Sequence, residues 1–245
     1  MQATASTDLE TTTRRHLAAA FRWAARLDLH ESIANHFSAT IGPRGDRFLI
    51  NPRGVHFSRI RASDLVLTQP GQPPGEDIDL TAWALHSQLH RLIPRARCVL
   101  HTHMPHTTAL ACIENFEFLM LDQNACRFHD RIAYDRAYAG MALDAAEGER
   151  VAGLLGDRHE VLLLGNHGVI MIGDSVAQAF DELYCLERAA QVQILALSTG
   201  RKPAIVSEQT ARLACAQWRE YPQFAELHFR ALIDILDEEE PGYRD

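Results

Sequence analysis

Val161-Leu162-Leu163-Leu164-Gly165-Asn166-His167-Gly168-Val169-Ile170-Met171-Ile172 decides how this chain folds. Two short apolar runs flank a polar centre that carries two glycines. Runs of that length, bounded by turn residues, suit buried strands rather than helices. Glycine accepts the backbone angles that a sharp reversal needs. The stretch therefore predicts two neighbouring strands joined by a tight turn, with the imidazole of His167 presented at a sheet edge.

The flanking sequence repeats the theme. Phe37-Ser38-Ala39-Thr40-Ile41, the breaker Pro43-Arg44-Gly45 and Arg47-Phe48-Leu49-Ile50 read as a hairpin. Asp64-Leu65-Val66-Leu67 and Cys98-Val99-Leu100-His101 read as further strands. Helical spacing predicts helices over 9–29, with Leu17, Phe21 and Ala24 on one face, and over 80–92, started by Asp79 and stopped by Pro94. Others are expected over 105–114, 144–155, 175–198 and 207–236. Several strands are joined by short turns, which favours an antiparallel or mixed sheet covered by helices. The densest breaker segment, residues 69–77, reads as an exposed loop, so one domain is expected over residues 1–245.

Composition narrows the function. With 245 residues, 47% hydrophobic and 23% charged, the chain has material for a full core and is neither disordered nor fibrous. A net charge of −8 argues against a nucleic-acid partner. No apolar run reaches the roughly 18 residues of a membrane span. The N-terminal residues lack a basic start and an apolar stretch, so no signal peptide is expected. Five cysteines, an odd number without a CxxC pair, argue against a disulfide framework or a thiolate zinc site and fit a reducing cytoplasm.

Thirteen histidines are a surplus, and their placement is informative. In Val99-Leu100-His101-Thr102-His103 the two imidazoles are two residues apart at the end of an apolar strand, so they share one face. Alone, such a pair can be two core or surface histidines, and Gly165-Asn166-His167-Gly168 alone can be an ordinary polar turn. Together they offer three neutral nitrogen ligands and an open position, the pattern of a catalytic metal site. A rival pair, His86 and His90 in His86-Ser87-Gln88-Leu89-His90, shares a helix face as in zinc proteases, but Ser87 stands where those carry a Glu.

The ordered set of Asn35-His36-Phe37-Ser38, Phe48-Leu49-Ile50-Asn51-Pro52-Arg53-Gly54, Ser63-Asp64-Leu65-Val66, Leu85-His86-Ser87, His101-Thr102-His103, Tyr138-Ala139-Gly140 and Asn166-His167-Gly168 resembles the class II aldolase/adducin family over nearly the whole chain. The resemblance implies a three-layer α/β/α domain with a largely antiparallel sheet, a fourfold homotetramer with sites between subunits, and a divalent metal on His101, His103 and His167. Zinc is the first expectation, with manganese or iron as alternatives. The family's sugar-phosphate aldolases carry a proton-transferring Glu four residues before the helix histidine. Here that position is Ala82. His36 and Arg53 replace residues of the phosphate-holding loops. Both can pair with a carboxylate, although Arg53 could equally be a surface ion pair.

The expectation is therefore a metal-dependent carbon–carbon lyase that acts through a metal-stabilised enolate on a small oxo- or hydroxy-carboxylate, with decarboxylation ahead of aldol cleavage. His36, Arg53, Asn35 and Thr81 are the candidate substrate contacts, and His86 and Tyr138 the candidate catalytic groups. An aldolase with a relocated base, an iron-dependent oxygenase and a non-catalytic adducin-like association module are the alternatives.

Overall fold

Seven strands are found among the described residues: β1 His36–Ile41, β2 Arg47–Ile50, β3 Val66–Thr68, β4 Cys98–Thr102, β5 Ile132–Asp135, β6 Val161–Leu164 and β7 Gly168–Gly173. They form one sheet in the order β3-β2-β1-β4-β7-β6-β5. Every pairing is antiparallel except β5 with β6. The computed structural model describes residues 2–42, 46–138 and 140–245. The expected turn at Pro43-Arg44-Gly45, and Ala139 of the Tyr138-Ala139-Gly140 motif, lie outside the described residues.

The helices are α1 Gln2–Arg26, α2 Leu80–Leu92, α3 Pro105–Ala111, α4 Gln123–Cys126, α5 Ala145–Leu155, α6 Val176–Ser198, α7 Glu208–Arg219 and α8 Gln223–Glu239. Strand alternation splits the core between the two faces of the sheet. Phe37, Leu49, Leu100, Leu163 and Met171 pack with Phe21 of α1, Phe180 and Leu186 of α6 and Phe229 of α8. Val99, Leu162, Leu164, Ile170 and Ile172 pack with Leu85 and Leu89 of α2 and Val151 and Leu155 of α5. Helices on both faces of a largely antiparallel sheet give the α/β/α arrangement. No helix among the described residues is long and apolar enough to cross a membrane.

The caps lie where the sequence puts them. Asp79, Asp144 and Ser175 each accept a backbone N–H in the first turn of α2, α5 and α6. Three expectations are corrected. The first helix starts at Gln2 and stops at Arg26, because Asp28 turns into the left-handed region at φ 56°. The helix expected over 207–236 is two helices, α7 and α8, parted at Tyr221-Pro222, where a proline cannot donate into the preceding turn. β5 is an additional strand; its half-buried Ile132-Ala133-Tyr134-Asp135 is too short and mixed to stand out in sequence.

Candidate metal centre

Alternation along β4 places Val99 and His101 on the α2–α5 side of the sheet, and His103 follows at the strand end. β7 pairs with β4 so that Val169 lies opposite Thr102. That register brings the turn carrying His167 against the end of β4. Asn166 takes the left-handed conformation, φ 57°, that closes the turn. A Cβ at Gly168 would lie 2.4 Å from the carbonyl oxygen of Thr102 and 2.8 Å from the ring of His103, so only glycine permits this approach.

The three rings meet almost as an equilateral triangle, with centroids 5.0 Å apart for His101–His103 and 4.8 Å for each of the pairs that include His167. One nitrogen from each lies within 4.8 Å of the other two. Two of the three tautomers follow from their partners. His101 Nδ1 is 3.0 Å from the carbonyl oxygen of Val169, which can only accept. His103 Nδ1 is 2.6 Å from the Glu31 carboxylate, also an acceptor. Each Nδ1 therefore carries a hydrogen, and each Nε2 is turned toward the shared centre. The two Nε2 atoms face one another at 3.2 Å. With both rings neutral, their lone pairs at that distance suit a shared cation. Tetrahedral ligands at 2.0–2.1 Å from zinc would themselves be about 3.3 Å apart, so the donor set fits a divalent metal.

Burial sets the charge state. His101 is held well below the ordinary imidazole range, first by desolvation and then by its imidazole neighbours. Desolvation and His103 lower His167 to about 4. Both are neutral ligands at neutral pH, as a metal requires.

The other expected residues are placed as follows. Tyr138 is exposed, with its ring 6.0 Å from that of His167. Asn35 is buried. Its Oδ1 accepts from the Glu31 N–H at 2.6 Å, while its Nδ2 has no partner. His36 lies under α2, its ring 4.7 Å from that of His101. His86 stands behind His36, with His86 Nε2 2.7 Å from His36 Nδ1. Arg53 and Thr81 make no hydrogen bond or ring contact with these histidines. The side chain of Arg53 is 66% exposed and lies 4.0 Å from Asp79. Thr81 spends its backbone N–H and its hydroxyl on Asp79 at the start of α2.

Glu31, Ser38 and His90 also belong to this neighbourhood; sequence reading passed over Glu31 and Ser38 as site residues and weighed His90 only as half of a rival metal pair. Glu31 is in an irregular segment whose closeness to His103 has no signal in sequence. Ser38 and His90 did have one. Ser38 alternates with apolar residues in β1, and His90 shares the His86 face of α2.

A family model described as the Class II Aldolase and Adducin N-terminal domain matches residues 15–194. The chain belongs to the class II aldolase and adducin family. It is 32% identical over 241 residues to a Pseudomonas aeruginosa protein that bears the provisional name aldolase class 2 protein, covering 95% of this chain and 92% of the other. A crystal structure of an aldolase II superfamily protein from Pseudomonas syringae superposes with a TM-score of 0.87 at 34% identity, over 97% of this chain and 96% of the other. Human beta-adducin is 29% identical over 244 residues, which is 91% of this chain but 32% of the adducin. The family thus holds proteins named as aldolases and a much longer adducin, and α7 and α8 of this chain lie beyond the matched segment.

Proposed function

We propose that this protein is a divalent-metal-dependent carbon–carbon lyase acting on a small oxo- or hydroxy-carboxylate, with decarboxylation its main reaction. His101, His103 and His167 would hold the ion, zinc before manganese or iron. The observation that carries the reading is the convergence of His101, His103 and His167, with the Nε2 atoms of the first two 3.2 Å apart and each backed by an Nδ1 donor bond. An association module has no use for three such converging imidazoles. A bound ion would supply Lewis acidity toward a substrate carbonyl oxygen, which eases departure of the adjacent carbon.

The carboxylates nearby favour decarboxylation over aldol cleavage. Retro-aldol cleavage needs a base to take a hydroxyl proton, whereas loss of CO₂ does not. Ala82 is buried among Phe48, Ile50 and Ile78, so the position of the aldolase Glu is part of an apolar cluster. Glu31 is bonded to His103, and Asp135 and Glu147 are both held by Arg150. No carboxylate is left over to serve as a base among these neighbours of the trio. The phenol of Tyr138, whose exposed ring lies 6.0 Å from that of His167, would return a proton to the substrate carbon.

The trio is only partly covered in one copy of the chain, His103 and His167 being half-buried. Tyr138, Met141 and Leu143 expose 55%, 70% and 55% of their surface in the segment that passes it. Such a cluster of exposed large residues supports a homotetramer whose subunits complete one another's sites. The protein would work in the cytoplasm, without nucleic-acid or membrane partners. The test is a screen of oxo- and hydroxy-carboxylates with zinc, manganese or iron(II), reading CO₂ and aldehyde. CO₂ release that is lost in His167→Ala supports the proposal, and aldehyde release without CO₂ would replace it with aldol cleavage.

A further inference from the structure

Behind the metal centre, four polar side chains form one continuous hydrogen-bonded line. It runs from His36 to His86 (Nδ1 to Nε2, 2.7 Å), from His86 Nδ1 to the Ser38 hydroxyl, from that hydroxyl to His90 Nε2 (2.7 Å), and from His90 Nδ1 to the carbonyl oxygen of Ala96 (2.7 Å). All four side chains are buried. Their elements explain the line. His36 and Ser38 are the α2-facing residues of β1, and His86 and His90 are one turn apart on α2.

The carbonyl at the far end can only accept, and this fixes every hydrogen in turn. His90 must carry its hydrogen on Nδ1, so its Nε2 is bare and accepts from Ser38. The single hydroxyl hydrogen of Ser38 is then used, so Ser38 accepts from His86 Nδ1–H. His86 Nε2 is bare in consequence and accepts from His36 Nδ1–H. His36 Nε2 is left bare, with no hydrogen-bond partner among the described residues. The assignment needs neutral rings, and the line is built for them: each Nδ1 hydrogen has an acceptor, and the buried Nε2 atoms of His86 and His90 each accept one.

We propose that Ser38, His86 and His90 are positioning residues that lock His36 as the Nδ1–H tautomer, so that His36 meets the ligand of the metal centre as a hydrogen-bond acceptor. A locked acceptor selects a ligand that brings a donor, namely a hydroxyl or a coordinated water. It repels a carboxylate or phosphate oxygen. This revises the sequence-based expectation that His36 grips the substrate carboxylate. It names the preferred substrate, within the reaction class proposed above, as an oxo-carboxylate that also carries a hydroxyl, the oxo group taking the electrons of the broken bond and the hydroxyl donating to His36. Asn35, one residue away, adds the complementary group: its buried Nδ2 is a donor without a partner, suited to the anionic oxygen.

The ligand preference rests on the proposed metal reading, whereas the tautomer does not, so the two are tested separately. Long-range ¹H–¹⁵N correlation spectra of the full chain labelled on its histidines report which ring nitrogen carries hydrogen. The expected spectrum has His36, His86 and His90 all as Nδ1–H tautomers, with the His36 Nε2 resonance in the bare-nitrogen range. Ser38→Ala should release His36 to the Nε2–H or a mixed form, and Ser38→Thr, which restores a hydroxyl, should keep it locked. A wild-type His36 with hydrogen on Nε2, or an unchanged His36 in Ser38→Ala, would overturn the lock. In the zinc-loaded chain, lactate should bind at least about tenfold more tightly than 2-methoxypropionate, which offers no donor. Equal binding of the two would overturn the acceptor role. Failure of zinc to bind at all would strike the metal reading and leave the tautomer spectrum to decide the lock.

Discussion

His101 Nε2 and His103 Nε2 face each other across 3.2 Å, and both rings give their Nδ1 hydrogens to fixed acceptors. Neither ring can turn to relieve the contact without breaking the bond to Val169 or to Glu31. The groups behind the ligands thus hold the two Nε2 atoms at the spacing of a shared ion. Four expected outcomes and one direct measurement follow from this construction.

Glu31 orients His103 and raises the basicity of its Nε2. Partners of this kind are typically worth about 10- to 100-fold in metal affinity. Glu31→Gln should weaken zinc binding by about that range and leave the thermal unfolding of the metal-free chain within a few degrees of wild type, because Glu31 is exposed on its other side. Competition against a chelating dye of known affinity measures the change.

Gly168→Ala tests the close approach of the turn to β4. The new Cβ would meet the Thr102 carbonyl oxygen at 2.4 Å, and the backbone oxygen has no room to retreat inside the β4–β7 pairing. Overpacking of this kind costs about 1–3 kcal/mol, and more where backbone must move. Chemical denaturation should show a midpoint lowered accordingly. Zinc binding should fall as well, since the same Cβ crowds the His103 ring.

Ala82→Glu separates the two carbon–carbon lyase chemistries. The side chain would enter the apolar cluster of Phe48, Ile50 and Ile78. A buried carboxyl without a partner costs on the order of 1–3 kcal/mol even when neutral. The variant should therefore be less stable and show no gain in aldol turnover. An aldol gain approaching the 10²- to 10⁴-fold of general acid–base catalysis, measured on matched aldol and decarboxylation substrates, would reverse the ranking of the reactions.

The buried histidines make the fold acid-sensitive. Desolvation lowers His90 to about 4 and depresses His86 further, so protons bind the unfolded chain first. A base whose folded pKa lies below its unfolded value contributes stability that is complete above about pH 6.5 and falls as pH drops toward the folded value. For His90 alone the loss from pH 7 to pH 4 is on the order of 3 kcal/mol. Urea midpoints measured at intervals between pH 7.5 and pH 4 should fall steadily. His90→Phe, which leaves Ser38 without its acceptor but removes the titration, should lower the midpoint at pH 7.5 and flatten its slope below pH 6.5.

Much of the architecture was legible in the chain. The apolar runs around Gly165–Gly168 announced β6 and β7, and Asp79 announced the start of α2. The trio was legible because strand alternation and a glycine-bounded turn are local facts. The line behind it was not. His36-Phe37-Ser38-Ala39-Thr40-Ile41 alternates polar and apolar, the pattern of a strand with one wet face, yet all six residues are buried. Its polar face is covered by the polar face of α2, and only the packing of two distant segments reveals that their polar residues satisfy each other. Glu31, Arg53 and Thr81 teach the same point. Which side chains reach the centre depends on loop paths that no short-range pattern encodes.

The central claim is that His101, His103 and His167 hold one divalent ion. Isothermal titration of the purified, chelator-treated chain with zinc tests it most directly, with each single alanine variant as the comparison. The account predicts about one zinc per chain in the wild type and loss of that site in His101→Ala, His103→Ala and His167→Ala while each variant keeps its circular dichroism spectrum. A wild-type chain that takes up no zinc, manganese or iron(II), or one whose binding is unchanged in all three variants, would contradict it.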